Sequence, residues 1–174
     1  MYRIIEIGGI EYKLEYTMEA ALYNECVETL VDFVGKTVMP QNLPEMTKGL
    51  NPEEQQRLID LAIKDALSSI TDLPNTAVTI FYAGLLEHQG PEGTNIIKSK
   101  RDAKALVKQY FEDHKDDGTD NFYDLINICM EQINEDGFFK RTGLEKILNQ
   151  EQEPEKKTRK TPQDHKRKVS AKQS

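Results

Sequence analysis

Three histidines (His88, His114, His165) and two cysteines (Cys26, Cys129) are the side chains of this chain best suited to acid–base, nucleophilic or metal-binding chemistry. Each type does that chemistry only with partners at set spacings: a nucleophile beside a base, or three or four ligands around a metal. The sequence supplies no such pairing. The histidines fall at an expected helix end, in an acidic loop and in a charged tail, and read as solvent-exposed. The cysteines lie far apart, each inside an apolar run with helical spacing rather than in a C-x-x-C pair. They read as buried, reduced thiols. Gly8-Gly9 is followed by neither G-x-G-x-x-G nor GK[ST], so it signals a turn and not a phosphate cradle.

Residues 113–124 come nearer to a known site. Asp113, Asp117, Gly118 and Asp124 stand at positions one, five, six and twelve of what would be a calcium-binding loop between two helices. Three departures oppose that reading. Lys115 puts an ammonium group where a carboxylate is needed, Asp124 is short for a bidentate ligand, and Asp120 replaces an apolar anchor. The stretch reads as a solvated turn. The basic tail has its own double reading. Lys156, Lys157, Arg159, Lys160, Lys166, Arg167 and Lys168 could neutralise phosphates, which leaves a nucleic-acid-associated regulator as the alternative function. The tail has no aromatic residue for base stacking, however, and a solubilising extension or linker is the favoured reading. No catalytic, cofactor-binding or metal-binding residue is assigned, and the chain reads as non-enzymatic.

The elements that would position any working surface follow from spacing. "YRIIEIGGIEYKLEY" predicts a β-hairpin, with Gly8-Gly9 supplying two positive φ angles. Ile7 then faces Ile10 and Ile5 faces Tyr12, which gathers Ile5, Ile7, Ile10, Tyr12 and Leu14 on one face. A helix follows from an N-cap at Thr17, carries Tyr23, Val27, Leu30 and Val34, and stops at Gly35. Residues 36–50, with Pro40, Pro44 and Gly49, read as a long loop. Asn51-Pro52 with Glu54 forms a capping box opening a helix to about Ile70.

Asp72-Leu73-Pro74 reads as a break before the most apolar stretch, "NTAVTIFYAGLLEHQG". "AVTIFY" has strand propensity, but Val78, Phe81, Tyr82, Leu85 and Leu86 keep three-and-four spacing, and a helix from Pro74 to Gly90-Pro91 is favoured. Ser99 with Asp102 opens another helix, a fifth carries Phe122, Leu125, Ile126, Cys129, Met130 and Ile133 to Gly137, and "GFFKRTGLEKIL" makes a short last one. The fold class expected is α+β, mainly α: an N-terminal hairpin packed on about five or six helices.

Two parts follow: a domain over residues 1–150 and a disordered basic tail or linker over residues 151–174. The tail holds eight Lys/Arg against four Asp/Glu, which leaves the preceding body at −11 within a total of −7. Such a body repels nucleic acid. The longest apolar run is half a membrane span, and no charged segment followed by an apolar one opens the chain, so a soluble cytosolic protein is expected. Without an active site, the work falls to surfaces. Phe81, Tyr82, Leu85, Phe138 and Phe139 are the candidate partner-binding residues, against the competing reading that a domain of this size buries its aromatics.

In its order of features the chain resembles the tail assembly chaperones of long-tailed bacteriophages, of the kind found in phages and prophages of Gram-positive bacteria. The resemblance rests on "IIEIGGIEYKLEYT", on "ITDLPNTAVTIFYAGLLEHQG" and on "GFFKRTGLEKIL" before a charged tail, and spans about residues 1–150. It implies a small, helical, non-enzymatic protein of the host cell cytoplasm, absent from the mature virion and without cofactors. Its implied partners are the tape measure protein, whose apolar surfaces it covers, and the major tail protein, which it recruits to build the tube. Self-association along the tape measure is implied as well. In many such phages a ribosomal frameshift fuses the short form to a further domain, and residues 151–174 would suit a linker at that junction.

Overall fold

A computed structural model describes residues 1–146, with the backbone alone over 37–46. The expectations for Ile147, Leu148 and the 151–174 tail lie outside the described residues. Two strands, β1 (Arg3–Ile7) and β2 (Ile10–Leu14), pair antiparallel with Ile7 opposite Ile10 and Ile5 opposite Tyr12. Gly8 and Gly9 take φ of 60° and 75°, the left-handed values a tight two-residue turn requires. Ile5, Ile7, Tyr12 and Leu14 are buried as expected, but Ile10 is exposed. Ile10 sits beside the turn at the start of β2 and lines an open cleft with His88, Thr94 and Ile96.

Six helices follow among the described residues: α1 (Met18–Leu22), α2 (Asn24–Met46), α3 (Pro52–Gln89), α4 (Lys100–Asp113), α5 (Phe122–Glu135) and α6 (Phe138–Thr142). The molecule is mainly helical with the hairpin packed on helices, the α+β class the sequence implied. Three boundaries differ. Thr17 does not cap α1 with its side chain; its hydroxyl donates to Glu87 instead, and the chain turns after one short helix at Tyr23. Gly35 does not stop α2, and residues 36–46, expected as loop, are helical. The α2 helix holds because it packs on α3, with Lys36 Nζ 2.6 Å from Asp32 one turn back and 3.5 Å from Asp72 across the pair.

Pro74 gives the third correction. Instead of starting a helix it lies inside α3, which runs unbroken for 38 residues, about 57 Å at 1.5 Å per residue. A proline in a helix interior forfeits one hydrogen bond and crowds the preceding turn, at a cost of about 3 kcal/mol. Tertiary packing outweighs this: Thr76 to Leu86 are all buried, and Lys36 fastens the preceding turn through Ser68 and Asp72. Both ends of α3 match expectation. Asn51 and Glu54 form the capping box, and Gly90 ends the helix.

The core surrounds the second half of α3. The hairpin lies directly on it, since Gly84 has no side chain: a Cβ there would stand 2.5 Å from Leu14 Cδ1 and 2.8 Å from the Tyr16 ring. Glu15 N donates to the Gly84 carbonyl at 2.9 Å, and the Tyr16 hydroxyl to Ile80 O at 3.0 Å. The Gln89 amide, oriented by its hydrogen-bond partners, accepts from Lys13 N and donates to Lys13 O. It thereby stands in for a third strand on the outer edge of β2. Buried Asp136 anchors the start of the next segment by accepting from Tyr16 N at 2.8 Å.

Candidate functional site

The five side chains singled out as partner-binding candidates sit inward. Phe81, Leu85 and Phe138 are fully buried, and Tyr82 is buried with its ring edge-on to Tyr23 at 5.3 Å. Phe139 is half-buried against the same core. These side chains build the body and do not present a surface.

Apolar surface lies instead on the first half of α3. Of the described residues 52–75, only Ala62 is buried. Leu61, Ile63, Leu67 and Ile70 are 44%, 53%, 59% and 63% exposed. Ile63, Leu67, Ile70 and Pro74 follow one another by four, three and four residues, so they form a single stripe along one face of the helix. Ala62 marks the face turned to α2, and successive residues are about 100° apart, so the stripe flanks that seam. The capping box closes the start of this two-helix arm, and α2 packs along it. Among the described residues the apolar side chains of the stripe are left largely exposed.

The stripe leads past Pro74 to Val78, which helps to line a groove between α3 and α4. The groove has a volume of about 570 Å³. Val78, Val107, Phe111 and Phe122 contribute its apolar lining, with Phe111 and Phe122 edge-to-face at 5.0 Å. Lys100, Arg101, Lys104 and Lys108 of α4 stand along it. Lys100 is committed, bonding Glu25 and, at 3.3 Å, Asn75. That contact holds the Glu25 carboxyl below its ordinary value.

The groups that raised chemical possibilities have structural partners. Both cysteines are free and buried, and burial pushes each thiol up to about 12, far from a reactive thiolate. Asp113 accepts from Gly8 N at 2.6 Å and from Gln109, bonds that hold its carboxyl below the usual range and turn it towards the hairpin. Asp124, the other end of the considered calcium loop, pairs with Asn121 at the start of α5. Among the described residues no group of three or more His, Cys, Asp or Glu is arranged to hold a metal ion. His88 bonds Glu15 at 2.6 Å, and His114 bonds Tyr110 O and stacks on its ring. No described helix is long and apolar enough to cross a membrane.

Compared with protein-family models, curated proteins and solved structures, the chain has no match.

Helical spacing alone does not single out Ile63, Leu67 and Ile70 as a binding surface. The available signal was a surplus: residues 52–73 carry apolar side chains on more faces than one neighbouring helix can cover.

Proposed function

We propose that the protein is a non-enzymatic tail assembly chaperone of a long-tailed bacteriophage, acting in the host cell cytoplasm. It covers apolar helical stretches of the tape measure protein and brings major tail protein to them, and it is left out of the finished virion. The observation that supports this reading is the exposed Ile63–Leu67–Ile70 stripe on an arm of a body whose charge is otherwise strongly acidic. A chaperone needs an apolar face to cover its client and repulsive charge to keep the covered assembly dispersed. A patch of a few hundred Å² contributes several kcal/mol at about 25 cal/mol per Å², before association costs. Such binding is reversible, as release to tube subunits requires, and gains strength when several copies line one client.

The test is co-expression of tape measure protein with this chain and with its Leu67→Glu variant. Tape measure protein should stay soluble with the first and precipitate with the second. Equal insolubility with both, or equal solubility with both, would remove either the chaperone role or the stripe's part in it.

A further inference from the structure

We infer that the stripe and the α3–α4 groove together form a docking site for an acidic amphipathic helix. The inference rests on the preceding reading in taking the stripe as a binding face, and adds the chemistry of what binds there. From Ile63 to Val78 the apolar line runs for about 22 Å at helical rise, a length matched by some four turns of a partner helix. Val107, Phe111 and Phe122 make the groove at one end a pocket for a large apolar side chain.

Charge selects the partner. Arg101, Lys104 and Lys108 stand along the groove, make no ion pair among the described residues, and face no carboxylate in its lining. Two acids of α4 are engaged elsewhere, Asp102 accepting from Lys98 N and Ser99 and Asp113 from Gly8 N, while exposed Glu112 stands outside the groove lining, one turn past Lys108. Lys104 and Lys108 stand four residues apart, and like charges so spaced repel along a helix, while Lys100 one turn earlier is paired with Glu25. The fold retains this repulsion in a body with 26 acids against 15 bases, the groove cations included. Carboxylates on the flanks of a docked helix would relieve it while that helix's apolar face covers the stripe.

Fluorescence anisotropy with synthetic peptides tests this without tape measure protein. The probe is a labelled peptide of about 16 residues, roughly 24 Å as a helix, with Leu at i, i+3, i+4 and i+7 and Glu elsewhere. Its controls replace Glu by Lys, or scramble the Leu positions, and a single-stranded oligonucleotide is a further ligand. The acidic peptide should bind at least about tenfold more tightly than either control peptide. Lys104→Glu/Lys108→Glu should weaken it about tenfold and favour the Lys peptide, with Lys104→Gln/Lys108→Gln intermediate. Both pairs are exposed, and an unchanged thermal melt establishes that the fold is kept. Equal binding of acidic and basic peptides, insensitivity to the substitutions, or binding of the oligonucleotide in place of the peptide would overturn the proposal. Soluble tape measure with no peptide binding sinks this inference alone. Peptide binding with insoluble tape measure sinks the chaperone reading alone.

Discussion

Residues 52–73 and 75–89 belong to one helix, and seven large apolar side chains in the first stretch compare with six in the second. Their fates differ, since none of the seven is buried and Leu58, Ile59 and Leu73 are half-buried. Val78, Ile80, Phe81, Tyr82, Leu85 and Leu86 are all buried, whereas Leu61, Ile63, Leu67 and Ile70 face solvent. Apolar content therefore does not distinguish core from contact surface in this helix. The number of neighbours does. The second stretch is enclosed by the hairpin, α1, α4 and α5, while the first lies along α2. A side chain that packs into the body is a structural element, and one left over on the arm is available for a partner.

The largest effect expected from breaking this contrast is at Phe81. Phe81→Ala should cost about 3–5 kcal/mol in urea denaturation, because the surrounding core cannot collapse around so large a gap. Leu67→Ser on the arm should change stability by no more than about 0.5 kcal/mol, as for exposed positions generally. A Leu67 variant that unfolds as readily as the Phe81 variant would mean that the stripe is packed in solution.

Two glycines inside helices sharpen the same comparison with opposite signs. Gly84 lies in the enclosed half, where a Cβ meets Leu14 and the Tyr16 ring at less than 3 Å. Tyr16 is fully buried and its hydroxyl is bonded to Ile80 O, so the ring cannot yield freely. Gly84→Ala should destabilise by about 1–3 kcal/mol through overpacking. Gly35 lies in α2 with open space where a Cβ would point. Gly35→Ala should stabilise by about 0.5–1 kcal/mol, the ordinary helix-propensity gain. Equal signs in thermal melts of the two variants would show that the hairpin does not sit on Gly84 as described.

Much of this was legible in local chemistry. The Gly8-Gly9 turn set the hairpin register, Asn51-Pro52 with Glu54 set the start of α3, and Gly90 and Gly137 set two helix ends. The three-and-four spacing chose helix over strand for "AVTIFY". The misreadings share one cause. Gly35, residues 36–46 and Pro74 carry local breaking signals, and local signals cannot register that α2 and α3 support each other along their length. Phe81, Tyr82 and Leu85 were offered as contacts because the run around them is so apolar, but that apolarity is what a helix enclosed on every side requires. The groove cations were invisible as a site for a further reason: Lys104 and Lys108 on a helix read as an ordinary solvated face until Phe111, Phe122 and Val78 are seen beside them.

Acid should separate the two regions by the smallest margin. Glu25, Asp102 and Asp113 each have carboxyls held below their ordinary values of 4.5, 3.8 and 3.8. The largest causes are the Lys100 hydrogen bond for Glu25 and backbone hydrogen bonds from Lys98 and Gly8 for the two aspartates. A carboxyl lowered in the folded state binds its proton more readily when unfolded. Its stabilisation is then complete above the ordinary carboxylate range and is lost as pH falls through the folded value. All three act on α4: Glu25 ties it to α2, Asp102 stabilises its first turn, and Asp113 ties its end to the hairpin. Stability should be level from neutral pH down to about 5 and then decline, with near-UV signals from Tyr110 on α4 changing as it does. Because Asp113 is exposed and Glu25 and Asp102 are only half-buried, solvent screening keeps the effect small. Asp113→Asn should be somewhat less stable than the parent at neutral pH and show a shallower acid decline. An identical acid profile in that variant would show that the Asp113–Gly8 bond does not hold the hairpin to the helix carrying the groove cations.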